Sequence, residues 1–203
     1  MAENIYLIMN KPKGYVCSAA SDSHKTVYQL LPQELQNLVK NAKRGHRLHT
    51  IGRLDADTSG LLLLTTDGKF SHKIAVAPST GSETAGITKT YLATLKNPVN
   101  EELQKEYIAK AAAGLVLPAE KKAPEQEAAP AKLHFIKEDT CEISVTEGKF
   151  HEVRRIFRAL GNEVTALERL SIGGLCLPQN LAPGTFKELL PADLEKIFSD
   201  FDI

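Results

Sequence analysis

Leu61 to Leu64 form a run of four leucines between a polar, glycine-punctuated loop and the β-branched pair Thr65 and Thr66. So short an apolar run reads as a strand covered on both faces rather than as a helix. Asp67 and Gly68 stop it, because glycine tolerates positive φ and aspartate can bond its own backbone. On the other side, Ile51 closes a short apolar approach, so the stretch from His49 to Gly68 reads strand, loop, strand. Its loop, bounded by Gly52 and Gly60, carries Arg53, Asp55 and Asp57. A guanidinium and two carboxylates on a loop anchored at both ends are the kind of group that does chemistry.

The rest of the chain must support that loop. Its 203 residues suffice for one large domain or two small lobes, and 42% hydrophobic with 25% charged residues is a globular composition. No charged leader precedes an apolar segment, and no apolar run is long enough to span a bilayer, so no membrane partner is expected and the expected location is cytoplasmic. Cys17, Cys141 and Cys176 are far apart, which predicts buried free thiols. The six histidines have no partners at ligand spacing, so no metal site is expected. With 25 basic and 25 acidic residues the formal charge is zero, and any affinity for nucleic acid must come from local clustering.

In chain order, Ile5–Met9 reads as a strand, Asn10–Gly14 as a turn, and Tyr15–Ser18 as the return strand of a hairpin with two lysines at its tip. Thr26 caps a short helix through Leu31, and Pro32 opens another that carries Leu35, Leu38 and Val39. From Lys40 to Arg53 the charges are all basic: Lys43, Arg44, Arg47 and Arg53, accompanied by His46 and His49. Lys69–Val76 reads as a short helix and Ser79–Gly86 as a polar loop. In the strand Lys89–Leu95, two-residue alternation puts Lys89 and Tyr91 on one face. Asn100 caps a helix to about Ala113, with Gly114 as its stop.

The Ala-, Glu-, Lys- and Pro-rich stretch 118–130 reads as a flexible, solvated connector. Strands are expected at Lys132–Ile136, Cys141–Val145 and Val164–Leu170, and Pro191 begins a final helix. A helix from His151 to Leu160 turns Val153, Ile156, Phe157 and Leu160 inward, with His151, Arg154, Arg155 and Arg158 on the basic face. Arg154 borders the apolar face beside Phe157 and there calls for an acidic partner. Strands and helices mixed without a βαβ repeat predict an α+β fold with a mostly antiparallel mixed sheet. No phosphate loop of nucleotide triphosphatases is present.

Four motifs in order resemble the RNA pseudouridine synthases, in the branch that acts on ribosomal RNA. They are Asn10-Lys11-Pro12-Lys13-Gly14; Gly52-Arg53-Leu54-Asp55 through Leu62; Lys89-Thr90-Tyr91; and Glu147-Gly148-Lys149-Phe150-His151-Glu152-Val153-Arg154-Arg155. The resemblance implies a single catalytic domain over 1–203, with two lobes meeting at a cleft. It implies a monomer and a cofactor-free isomerisation of a uridine, with 16S ribosomal RNA or an assembling subunit as partner. Asp55 matches the family's catalytic aspartate, Arg154 the basic residue that keeps it ionised, and Tyr91 the tyrosine that stacks on the flipped base.

On the same resemblance Arg53 fills the place of the flipped base or binds phosphate. Lys11, Lys13, Lys89, Lys149, Arg155 and Arg158 are RNA contacts that position without reading sequence. Asp57 is read as holding the loop. Two departures stand out. The branch places a small RNA-binding module before the first strand, where this sequence has Met1 to Asn4, and Glu152 stands where the family has glutamine, next to Arg154 and able to compete for it. The rival readings are a magnesium-dependent or glycosidic carboxylate pair at Asp55 and Asp57, a noncatalytic ribosome-assembly factor, and a synthase acting on 23S RNA.

Overall fold

The computed structural model describes residues 3–21, 23–41, 45–75, 86–120 and 122–199. Lys43 and Arg44 of the basic segment, and nearly all of the polar stretch 79–86, lie outside them. The strands are β1 (Tyr6–Lys11), β2 (Tyr15–Val16), β3 (Lys25–Thr26), β4 (His49–Ile51), β5 (Thr58–Thr65), β6 (Lys89–Leu95) and β7 (Leu115–Leu117), followed by β8 (Gln126–Ala128), β9 (Lys132–Lys137), β10 (Thr140–Val145), β11 (Val164–Ile172), β12 (Leu175–Cys176) and β13 (Phe186–Glu188). The helices are α1 (Gln33–Lys40), α2 (Gly68–Ala75), α3 (Glu101–Ala112), α4 (Glu152–Ala159) and α5 (Pro191–Lys196), with a 3-10 turn at Val27–Leu30. This is the α+β architecture that the element order predicts.

Nine strands form the main sheet in the order β13-β1-β5-β11-β6-β10-β9, with β4 also paired to β5 and β12 to β11. Its pairings are antiparallel except β5 with β11, which run parallel. Strand β5, the leucine run, is covered on both faces as expected: Leu62 and Leu64 join one core cluster, Leu61 and Leu63 another. A third cluster lies between α3, α4 and the β6–β10–β9 half of the sheet, and Tyr91 packs against two of the three. Burial on both faces is what lets a run without polar alternation be a strand.

One edge of β5 is shared. Its end at Leu63–Thr65 pairs with β4, while its beginning at Thr58–Gly60 pairs with β11. The loop 52–57 leaves the sheet at that split and is carried toward β11. Gly60 makes the parallel pairing possible, since its φ is +101° and a Cβ there would run into the Arg169 backbone.

Several local expectations are met. Asn100 Oδ1 accepts the Leu103 N–H at 2.9 Å, and Gly114 follows α3 with φ +85°. The expected N-terminal hairpin does not form: β2 pairs in parallel with β3, while β1 pairs with β5 and β13. The stretch 118–130 is more than a connector, because it carries β8, which pairs with β7, and a Glu120–Ala123 bridge. The cysteines are free as expected, Cys17 and Cys141 buried but Cys176 exposed. No helix among the described residues is long and apolar enough to cross a membrane.

Candidate active site

The loop between β4 and β5 is fastened from beneath by the turn that follows β1. Lys11, fully buried, donates from Nζ to the carbonyl oxygens of Asp55 (2.9 Å), Thr58 (2.7 Å) and Pro12 (3.2 Å). Gly14 N–H donates to the Ala56 carbonyl at 2.7 Å. The Cys17 thiol sits between the Leu54 N–H and carbonyl, and burial pushes it above the ordinary thiol range. Lys11 is therefore not a phosphate contact. Its donors are committed to loop carbonyls, and burial lowers its own pKa.

The loop borders a cavity of about 260 Å³ that Asp55, Tyr91 and Arg154 all line. That volume is at the small end for ligand sites and suits one base with part of its sugar. Lys89 and Tyr91 face it from β6, as the alternation predicts, and Arg53, Lys149 and Arg169 add further cations. The zero net charge of the chain thus conceals a local basic surplus. Burial and the Arg169 charge lower the Lys89 pKa to about 8.

Asp55 is partly exposed at the cavity, but its expected ion pair with Arg154 is absent. Arg154 Nη2 lies 2.7 Å from Asp57 Oδ2 instead, without the alignment of a hydrogen bond, and its Nη1 donates to the Val164 carbonyl at 2.9 Å. Asp57 thus ties the loop to α4, the holding role expected of it in a different form. Glu152 does not compete for Arg154. It is buried beside Lys149, Glu147 and Lys89, accepts the Lys149 N–H at 3.3 Å, and is raised to about 7 by burial and by Glu147. Lys149 lines the cavity and pairs with Glu147.

Arg155 corrects the helical-wheel reading. It is fully buried, and its guanidinium donates to the carbonyls of Leu117, Pro118, Pro124 and Phe150. With Leu117, Pro118 and Pro124 lying as a strap on that face of α4, Arg155 fixes the strap and is not presented to RNA. Lys13 and Arg158 are exposed, outside the cavity lining.

Sequence reasoning missed two residues. Arg169, 2% exposed and paired in register with Tyr91, donates from Nε to the Leu61 carbonyl at 2.7 Å. Its Cζ lies 6.0 Å from the Tyr91 ring centre. His151 lies 3.5 Å from Asp55. The register that faces β11 with β6 could have pointed to Arg169, whereas the sequence put His151 in a motif and on the basic helix face without showing its contact with Asp55.

The site is thus a carboxylate-bearing loop at a small, cation-lined cavity with a tyrosine on its wall. The chain belongs to the RNA pseudouridylate synthase family, whose model matches residues 5–159. It is 38% identical over 195 residues, covering 96% of this chain and 74% of the relative, to the ribosomal small subunit pseudouridine synthase A of Haemophilus influenzae. The corresponding Escherichia coli protein is 36% identical over 192 residues, 95% of this chain and 73% of the relative. A crystal structure of a pseudouridylate synthase superposes with a TM-score of 0.79 at 37% identity, covering 97% of this chain and 75% of that one. The archaeal box H/ACA Nop10–Cbf5 complex shares the fold, with a TM-score of 0.56 at 15% identity over 89% of this chain and 51% of that one.

Proposed function

We propose that this protein converts a uridine of small-subunit ribosomal RNA to pseudouridine, with Asp55 as its catalytic carboxylate. The supporting observation is the placement of Asp55 on the one loop that Lys11, Gly14 and Cys17 fasten, at a cavity it shares with Tyr91 and Arg154. Isomerisation breaks the bond from uracil N1 to C1′, turns the base, and forms a bond from C5 to C1′. The proton lost from C5 is balanced by one gained at N1, so no net oxidant or cofactor is required. A carboxylate close to C1′ and C2′ can attack the sugar or take its proton, provided it is ionised and held still.

Tyr91 offers a ring on which the flipped base stacks. Arg154, through Asp57, sets the height of the Asp55 loop over the cavity. Lys13, Lys149, Arg53 and Arg158 are the cations that meet the RNA backbone, and small-subunit RNA is the substrate because the relatives that match nearly the whole chain carry that name.

Pseudouridine mapping by chemical labelling and primer extension tests this in cells with wild-type protein, no protein, or Asp55→Asn. The expected result is one small-subunit position that loses its signal in both the null and the mutant while the mutant stays folded. A signal that persists in Asp55→Asn removes the catalytic role, and a lost position in the large-subunit RNA reassigns the substrate.

A further inference from the structure

The side chain that faces Asp55 is His151. Its Nε2 lies 3.5 Å from Asp55 Oδ1, and its Nδ1 lies 3.1 Å from each oxygen of Glu120. An ionised carboxylate can only accept, so Glu120 holds the proton of the ring on Nδ1. Nε2 then meets Asp55 with either a lone pair or a second proton. A lone pair aimed at a carboxylate oxygen repels it, whereas an N–H attracts it, so the contact with Asp55 calls for an N–H at Nε2.

The backbone and the neighbouring ring hold the imidazole in place. Among the described non-glycine residues, His151 has the positive φ, +49°, where a side chain costs energy unless its surroundings hold it. The ring is stacked on Phe150 with centroids 3.8 Å apart and planes 18° apart. Glu120 is fixed by its bridge to Ala123 and lies 3.9 Å from Arg158 Nη1. The charged groups around the ring are therefore Asp55 on the loop, Glu120 on the strap, and Arg158 on α4, with the Arg154–Asp57 pair and Glu152 on neighbouring turns.

Resting on the reading of Asp55 above, we propose that His151, clamped by Glu120, is the positioning residue that holds Asp55 by Oδ1 and leaves Oδ2 free for the ribose. Oδ2 accepts no hydrogen bond among the described residues. The role that the family pattern gives to Arg154 is thereby divided: Arg154 anchors Asp57, and His151 anchors Asp55. Contacts of this kind are long without substrate and tighten when it binds.

The test is steady-state kinetics of wild type, His151→Gly, His151→Asn, Glu120→Gln and Asp55→Asn on transcribed small-subunit RNA, with added imidazole or pyrazole. Glycine accepts the positive φ and leaves a ring-sized hole, and asparagine tolerates the same backbone while lacking the cation. The expected result for His151→Gly is a fall in kcat of at least about tenfold, or ~1.4 kcal/mol of barrier, with KM near wild type. Imidazole restores part of that kcat, and pyrazole, of the same shape but unprotonated, does not. His151→Asn stays slow, and Glu120→Gln falls between it and wild type.

Wild-type kcat in His151→Gly or His151→Asn overturns the proposal, as does a slow His151→Gly that melts normally but ignores imidazole. Activity in Asp55→Asn would overturn instead the reading of Asp55 on which the proposal rests.

Discussion

The Lys11 ammonium donates to the backbone carbonyl of Asp55 across 2.9 Å and to that of Thr58 across 2.7 Å, so a buried lysine fixes both shoulders of the candidate catalytic loop. A lysine in the turn after β1 thereby sets where a carboxylate before β5 stands. It contributes no charge to the RNA face.

Replacing Lys11 by methionine fills the space but leaves those carbonyls without a donor. The expected loss is about 2–4 kcal/mol, since a buried unsatisfied group costs about 1–3 kcal/mol. Urea unfolding measures it, and RNA turnover should fall further than RNA affinity, because the loop loses its register while the surface cations remain. An unchanged unfolding midpoint would mean that the carbonyls find other donors.

Arg155 and Lys13 both count as basic in the sequence but should behave oppositely. Arg155→Ala frees the strap carbonyls and should cost about 1.5–3 kcal/mol, the scale for hydrogen bonds made by a charged group. The salt dependence of RNA binding should not change. Lys13→Ala should leave the melting temperature alone and reduce the slope of log affinity against log salt by about 1. Binding titrations across salt, alongside thermal melts, distinguish the two.

Glu152, raised to about 7 by burial and Glu147, makes stability depend on pH. Below the unfolded value near 4.5 the group is protonated in both states and costs nothing. Between there and about 7 the unfolded chain ionises first, so stability falls as pH rises. Glu152→Gln removes that fall: the variant should come closest to wild type near pH 4 and exceed it at pH 8 by up to about 3 kcal/mol. Denaturant unfolding at the two pH values tests this, and a constant difference would show that Glu152 ionises freely.

Local signals read well where local physics decides. The Asn100 cap, the Gly114 stop, the two-faced leucine run and the shared face of Lys89 and Tyr91 each follow from residues within a turn or a strand of one another. The four motifs likewise brought Asp55, Tyr91 and Arg154 to one cavity. What escaped depends on distant partners. A helical wheel shows Arg155 and Arg158 as equals, and only the strap laid across α4 buries one of them. The turn at Asn10–Gly14 marks Tyr15–Ser18 as a return strand, yet the strand that forms, Tyr15–Val16, pairs with β3 rather than β1. Composition marks Glu120 as one acid in a charged connector, and its contact with His151 exists only once that connector folds back over α4.

The parallel contact between β5 and β11 also has a consequence in time. The wall formed by Arg169 reaches the loop of Asp55 only when Leu167–Arg169 pair with Thr58–Gly60, and β1 gains its outer neighbour only when Phe186–Glu188 arrive. During synthesis the first half of the chain waits with its carboxylate mounted and no cavity beneath it. Contacts this distant along the chain form late and slowly. Competence should therefore appear abruptly once Phe186–Glu188 have emerged, and nascent chains truncated before them should carry the loop without activity.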